Sequence, residues 1–526
     1  MTVVAPQLHL ESVRKGYAYD QDKAVDPATT VANAAAKLGQ MTDLGGVKLE
    51  ARAGPIDGAF SYTSAGGTLN ASGKGLTAEQ AQASAIMELA ERYSWIHFDY
   101  EHAPGYRLAT HAEIVATGVE TVPASYFLSN FPFLTEREPY ERDLLRTRLR
   151  WVLGTRLVDG SPYYYPLNWH NMLYSSNGLA SGNRFEEAVL QGLCEVIERE
   201  TIFRLHMEKR LGASIDLTSL THPLLREVLQ TGENNGIRWS VVDMTSDLGV
   251  PSMVVRGTRP ADEGLLTYEG VGHGCHPDPE KAIIRALSEY FEGFSWMCKV
   301  QERFGADFKG LQALLPIGNL GFHALYNPEV LRDTTGVIPV GRVPSVARSD
   351  IKEEIELIVG ALEAKGYTVV VIDKSYPPLT IPVVRVFVPE MRSGLNTEFQ
   401  NPAAPIAAVA KESGDHELGM HYWGEMIRVH PALKALGANR LLASLLPSVP
   451  DHLLPKPAFG ADYRESMFMV HGIKKHGLGM LRQIEGLREL MGPVLQLMGG
   501  ELQGGGLTAL LPLLIGARGP FGGLPR

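Results

Sequence analysis

Carboxylates recur at helical spacing in three stretches of the chain. In Ser84-Ala-Ile-Met-Glu88-Leu-Ala-Glu91-Arg92-Tyr93, the residues Ser84, Glu88 and Glu91 follow i, i+4 and i+7 and share one face, while Ile86, Met87, Leu89 and Tyr93 supply the apolar side. In the stretch from Asn183 to Arg199, at about 100° per residue, Glu195 lies about 80° and Glu198 about 20° from Glu187, with Asn183 one turn earlier. One narrow stripe therefore carries an amide and three carboxylates. The third stretch, Arg285-Ala-Leu-Ser-Glu289-Tyr-Phe-Glu292, follows Gly270-Val-Gly-His-Gly274-Cys-His-Pro277.

Ordinary solvated faces would account for one such helix, because Glu88 with Arg92 and Glu195 with Arg199 have the favourable i, i+4 order, worth a few tenths of a kcal/mol. Two features argue for an inward orientation instead. E-x-x-E-R occurs twice, and both times inside a strongly apolar helix. Like charges gathered at low dielectric raise one another's pKa unless a cation neutralises them. Oxygen ligands without Cys or His at metal spacing favour Mg2+, which commonly joins one or two carboxylates to the phosphates of a nucleotide. Lys74, in a glycine-rich turn Ser72-Gly-Lys-Gly75, is available to assist, although this is not a Walker A loop.

Other motifs carry less. The G-x-G-x-G at 270–274 precedes a helix but lacks the full dinucleotide spacing and its acidic ribose ligand. His273, Cys275 and His276 are candidate metal ligands, though a tight turn before a helix is the favoured explanation of them. Neither G-x-S-x-G nor H-E-x-x-H occurs. Tyr163 to Tyr165 and Trp169 are expected to pack on a sheet rather than stack on bases.

The elements that must hold these residues include a repeat. Gly236-Ile-Arg-Trp-Ser-Val-Val-Asp243, a turn, and Val250-Pro251-Ser-Met-Val-Val255 read like Gly366-Tyr-Thr-Val-Val-Val-Ile-Asp373, a turn, and Ile381-Pro382-Val-Val-Arg-Val386. Each follows a helical stretch, roughly 222–231 and 349–365, and each pairs a β-branched strand with a second strand opened by Pro. Arg150–Leu157 and Tyr163–Leu167 form a similar strand pair. The expectation is an α/β (α+β) chain of repeated helix–strand–strand units with mixed sheets. Residues 390–418 read as loop, and long helices such as Gly477–Met498 follow from Tyr422 onward, before a Gly- and Pro-rich tail from Gly504. The expected division is an N-terminal segment at 1–70, a domain at 71–400 that carries the carboxylate helices, and a mainly helical extension at 401–526.

With 44% hydrophobic and 21% charged residues, the 526-residue chain can bury a large core. Its 59 acidic against 49 basic residues, net −10, argue against binding to nucleic acid or to an anionic membrane. Cys194, Cys275 and Cys298 are too few and too widely spaced for a disulfide framework or a Cys-x-x-Cys zinc pair, which fits a reducing cytoplasm. The N-terminus lacks a signal-peptide pattern, and the apolar run Leu507–Ile515 is too short to cross a bilayer.

The same residues resemble the YcaO family of ATP-dependent peptide-modifying enzymes. The resemblance lies in S-x-x-x-E-x-x-E-R at Ser84, Glu88, Glu91 and Arg92, and in N-x-x-x-E with E-x-x-E-R at Asn183, Glu187, Glu195, Glu198 and Arg199. It extends to R-A-L-x-E at Arg285 and Glu289, and to K-x-x-x-P-x-x-T at Lys23 and Thr30, covering roughly residues 20–390 in order. It implies that Ser84, Glu88, Glu91, Asn183, Glu187, Glu195, Glu198, Arg199 and Arg285 form a site for ATP and Mg2+, with Glu289 and Glu292 beside the nucleotide and Lys23 and Thr30 at the periphery. Glu88, Glu91, Glu187, Glu195 and Glu198 would take the metal; Glu195, Glu198, Arg199 and Arg285 would act on the phosphates.

Two departures bear on the product. Many members carry Gln where this chain has Glu292, and the PxPxP terminus of azoline-forming members is replaced by Pro520-Phe-Gly-Gly-Leu-Pro-Arg526. Azoline formation and backbone thioamidation both remain open, as do a role as accessory factor in methylthiolation of ribosomal protein S12 and that of a non-catalytic ATP-binding scaffold. The resemblance implies a peptide or protein substrate, a separate substrate-delivery partner such as a leader-recognition or TfuA-like protein, and a possible homodimer.

Overall fold

The computed structural model describes residues 8–52, 56, 59–67, 69–131, 134–207, 212–259, 268–304, 333–392 and 402–429. Three sheets organise them. The first is an antiparallel meander of β1 (Lys48–Arg52), β2 (Phe60–Gly66) and β3 (Leu69–Gly75). It is flanked by α1 (Pro27–Leu38) and covered by α2 (Ala78–Ile96). Asp26 caps α1 through the Thr29 N–H at 2.9 Å, with Pro27 at its first position, and Thr77 caps α2.

The second sheet has seven strands. β4 (Arg107–Ala109), β5 (Glu120–Thr121), β6 (Leu149–Arg156), β7 (Pro162–Pro166) and β8 (Leu179–Ser181) come from the first half of the chain, and β14 (Val370–Asp373) and β15 (Val383–Phe387) from later in it. The helices α3 (His111–Val115), α4 (Glu138–Arg146) and α5 (Leu167–Tyr174) lie around this half, and α6 (Phe185–Met207) packs on β8 and β15. The third sheet has the order β12-β11-β10-β9-β13, from β9 (Ala213–Asp216), β10 (Arg238–Asp243), β11 (Ser252–Arg259), β12 (Tyr268–Cys275) and β13 (Val337–Pro339). Here α7 (Pro223–Asn234) packs on β10, and α8 (Pro279–Phe304) on β11 and β12. The chain continues through α9 (Ile351–Glu363), β14 (Val370–Asp373), β15 (Val383–Phe387), α10 (Ala403–Glu412) and α11 (His416–Val429). Only β5–β7 and β9–β13 pair in parallel among the described strands, so the sheets are mixed, as expected.

The repeat is reproduced turn by turn. After α7 and α9, Gly236 and Gly366 take φ of 79° and 81°, and the next residue bonds back to Gly232 and Leu362 respectively. β10 and β14 then end on Asp243 and Asp373, each accepting the N–H two residues on at 2.9 Å. The N–H after each Asp reaches the returning strand at 2.8 Å, to Ser252 and Val383. The aromatics Tyr163, Tyr164, Tyr165 and Trp169 are buried in the core on the seven-stranded sheet, in keeping with packing rather than base stacking.

Three local expectations change. Ser72–Gly75 and Gly270–Gly274 are strand, in β3 and β12, not turns. Their glycines serve close approach: a Cβ on Gly73 would enter the backbone of Ala81 and Ala85 in α2, and one on Gly274 the backbone of Ala282 and Ala286 in α8. The stretch 390–418 is not all loop, because α10 occupies 403–412 and buries Ala403, Ile406, Ala407 and Val409 against the core that holds Trp169. The helix expected at Gly477–Met498 and the tail from Gly504 lie outside the described residues. No helix among the described residues is long and apolar enough to cross a membrane.

Candidate functional site

Each carboxylate helix rests on a different sheet, and the three come together at their mid-lengths. α2 sits on β3 and touches β8; α6 spans β8, β15 and β12; α8 sits on β12 and reaches β3. Because α2 and α8 each lie directly on glycines of an edge-ward strand, their charged faces are brought close to α6. Glu198 and Glu289 are buried, and Glu88, Glu91, Glu195 and Glu292 are half-buried, so the stripes point inward as the apolar context of both E-x-x-E-R segments suggested.

Within this cluster Lys74 of β3 meets Glu292 of α8 at 3.0 Å. Arg199 lies 3.8 Å from Glu195, 3.6 Å from Glu198 and 4.0 Å from Glu289. Arg92 forks onto Glu88, with Nε at 3.0 Å. Backbone donors complete the set: Gly178 donates to Glu195 at 3.2 Å, Cys275 to Glu198 at 3.2 Å, and His273 to Glu289.

The electrostatics are divided. Burial raises Glu195 to about 6, helped by Glu198 and opposed by Arg199 and Arg385. Burial, with Glu88 and Glu195 nearby, lifts Glu91 well above the usual carboxylate range, and burial likewise raises Glu292 against the pull of Lys74. Glu289 goes the other way: burial disfavours its charge, but Lys74, His273 and Arg199 outweigh it and hold the carboxyl low. Among the described residues, six carboxylates thus face four cations, Lys74, Arg92, Arg199 and Arg385, and burial together with that shortfall leaves carboxyls that resist ionisation.

A second group forms at the start of α6. Glu187 accepts from Asn183 N–H at 2.8 Å, from Asn183 Nδ2 at 3.1 Å and from the Ala24 N–H, and Asn183 Nδ2 also reaches Thr30 Oγ1 at 3.1 Å. Glu187 is thereby bound into the N-terminal segment, whereas Glu195 and Glu198 join the central cluster. Arg285 stands between the two groups and donates to Gln191 at 2.7 Å. Ser84 lies half-buried one turn before Glu88. Lys23 pairs through its backbone with Tyr17, next to the Ala24 amide that Glu187 accepts.

Two further cations belong to the cluster. Lys74, expected to assist from a turn, stands instead in strand β3, and Arg385 of β15 has no counterpart among the residues picked out by spacing. Arg385 is 1% exposed on β15, donating to Asn171 Oδ1 at 3.2 Å and to the Ser175 carbonyl, and burial lowers its pKa to about 10 despite Glu195 and Glu91. A lone Arg at the centre of the apolar strand Val383–Phe387 is its signal. His273 and Cys275, considered as metal ligands, sit in β12, and His276 turns to Asp278 N–H at 3.0 Å. No group of three or more His, Cys, Asp or Glu among the described residues is arranged to hold a metal by itself.

That inventory suits Mg2+ arriving with phosphates. The donors are oxygens, the cations among the described residues are fewer than the carboxylates, and a cation of this kind completes its shell with phosphate and water rather than with a protein cage. The family model described as YcaO cyclodehydratase, ATP- and Mg2+-binding, matches residues 72–392.

The chain belongs to the YcaO family. ATP and Mg2+ are accordingly its cofactors, and the mixed α+β architecture is that of the family's solved structures. A heterocyclase in complex with substrate and cofactor superposes with a TM-score of 0.60 at 25% identity, over 74% of this chain and 55% of that one. An uncharacterized protein encoded in the tfuA 3' region of Rhizobium leguminosarum bv. trifolii is 27% identical, over 62% of this chain and 78% of the relative. The ribosomal protein S12 methylthiotransferase accessory factor YcaO of Escherichia coli strain K12 is 30% identical, over 42% of this chain and 40% of its own length. The chain thus spans about half the heterocyclase and less than half of the accessory factor.

Proposed function

We propose that this YcaO protein activates backbone amides of a ribosomally made peptide or protein by ATP-dependent phosphorylation of the amide oxygen. The observation that carries the reading is the unbalanced cluster of Glu88, Glu91, Glu195, Glu198, Glu289 and Glu292 around Lys74, Arg92, Arg199 and Arg385. A peptide carbonyl is a poor electrophile and its oxygen a poor leaving group. Once a nucleophile has added to the carbonyl, the resulting oxyanion is the phosphoryl acceptor and must be held in line with a phosphoryl donor: its oxygen takes the γ-phosphoryl group as ADP departs, and then leaves as phosphate, so catalysis is chiefly positioning and charge neutralisation. ATP with Mg2+ supplies the phosphoryl group and the charge screening. Glu195 and Glu198 serve the metal, Arg199 and Arg285 offer planar N–H pairs to phosphate oxygens, and Asn183, Glu187 and Thr30 bound the nucleotide end of α6.

The nucleophile decides the product: a Cys, Ser or Thr side chain gives an azoline, and an external sulfide gives a thioamide. The similarity to a heterocyclase supports the first, and the relative from a tfuA region supports the second, with a TfuA-like protein as the assisting partner. A separate protein delivers the substrate, and the working form is cytoplasmic. The likeness to an S12 methylthiotransferase accessory factor favours a second reading, in which residues 420–500 dock a partner and their removal abolishes partner binding while sparing ATP hydrolysis. The primary test is ATP turnover by Glu195→Ala and Glu198→Ala: both should lose it while keeping their fold, and unchanged turnover in either sinks the reading. The mass of a modified peptide then separates loss of water from exchange of oxygen for sulfur.

A further inference from the structure

Among the described residues, a second concentration of buried charge lies behind the start of α6. Asp22, 7% exposed, accepts from Lys15 at 2.8 Å and from Lys281 of α8, with His276 Nε2 at 3.6 Å. Lys15 also pairs with Glu354 of α9, which is fully buried, and Lys281 donates to the Ala18 carbonyl at 2.9 Å. Two lysines and two carboxylates close a balanced set, and burial holds His276 well below its usual pKa, so it adds no charge at neutral pH.

These ties run along one segment. Ser12 and the Val13 N–H, at 3.2 Å, hold Asp350, and Glu11 N–H reaches Glu186 at 2.6 Å. The segment's far end then presents the Ala24 N–H to Glu187, and α1 presents Thr30 to Asn183. We propose that Asp22 is a positioning residue for the nucleotide end of α6: by binding Lys15 and Lys281 it fixes the segment 11–24 between α8 and α9, and through that segment it orients Glu187 and Asn183. The inference rests on Glu187, Asn183 and Thr30 belonging to the nucleotide site. Asp22 itself touches none of the phosphate-facing residues.

Outer-layer partners of this kind typically alter ligand affinity by about 10- to 100-fold. The test is steady-state ATP turnover and calorimetric ATP–Mg2+ binding for wild type, Asp22→Asn and Asp22→Asn/Lys281→Met, the double variant leaving no lone buried ammonium. Both folded variants should raise KM for ATP, and Kd, by at least about 10-fold with kcat at saturation within about 2-fold of wild type. Unchanged KM in a folded variant overturns the proposal. So does a fall in kcat proportional to the folded fraction with KM intact, the pattern of a merely structural role. Absent turnover in wild type would instead count against the proposed function.

Discussion

Lys74 on β3 and Glu292 on α8 meet at 3.0 Å and join the first sheet to the helix of the third across the acidic cluster. Each is the other's main electrostatic neighbour: Glu292 raises the Lys74 pKa against burial, and Lys74 restrains the rise of Glu292. Lys74→Met would leave Glu292 and Glu289 without that cation. Its side chain is 35% exposed, so the loss should be about 1–3 kcal/mol, between the ranges for surface and buried pairs. Urea unfolding measures it, and Lys74→Met/Glu292→Gln should recover at least half of the loss.

Glu195 gives a pH prediction with a definite sign. Its folded-state pKa, about 6, lies above the ordinary glutamate value of 4.5, so the folded protein without ligand binds the extra proton between these values. Stability contributed by the protonated form is therefore complete below about 4.5 and lost as pH rises through about 6, amounting to about 2 kcal/mol at most. Glu195→Gln should raise the Tm of the ligand-free protein at pH near 8 and leave it unchanged near pH 4.5. Magnesium-dependent ATP binding should weaken as pH falls through about 6 in wild type.

Arg385 is expected to be costly to remove. Arg385→Met strips the Ser175 carbonyl and Asn171 Oδ1 of a charged donor and leaves Glu91 and Glu195 with less compensation. A loss of about 3–5 kcal/mol follows, readable by thermal or urea unfolding. A change below about 1 kcal/mol would show that its buried charge is not part of the cluster's balance.

The three carboxylate helices were legible because i, i+4, i+7 spacing survives any tertiary context, and the second strand pair was legible because β-branched runs ending in Asp mark both copies of the repeat. Lys74 was misplaced for a physical reason: glycines at 73 and 75, and at 270, 272 and 274, look like turns, yet their alternation is the mark of a strand whose one face accepts a helix backbone. The helix at 403–412 was hidden by Pro402 and Pro405, which fit a helix start, where the first amides need no partner within the helix. Arg385 and Asp22 escaped because a single charge in a strand or loop has no periodicity to betray it.

Gly73→Val tests the close approach directly. Its side chain would enter the backbone of α2 at Ala81 and Ala85, displacing the helix that carries Glu88 and Glu91. Destabilisation of at least about 1–3 kcal/mol is expected, together with loss of ATP turnover in the fraction that remains folded.

The most direct measurement of the central claim is calorimetric titration of ATP into wild type and Glu198→Gln, each with and without Mg2+. The cluster's unbalanced carboxylates predict binding to wild type only when Mg2+ is present, and affinity at least about 10-fold weaker in Glu198→Gln. Equal binding with and without the metal, or undiminished affinity in the folded variant, would contradict it.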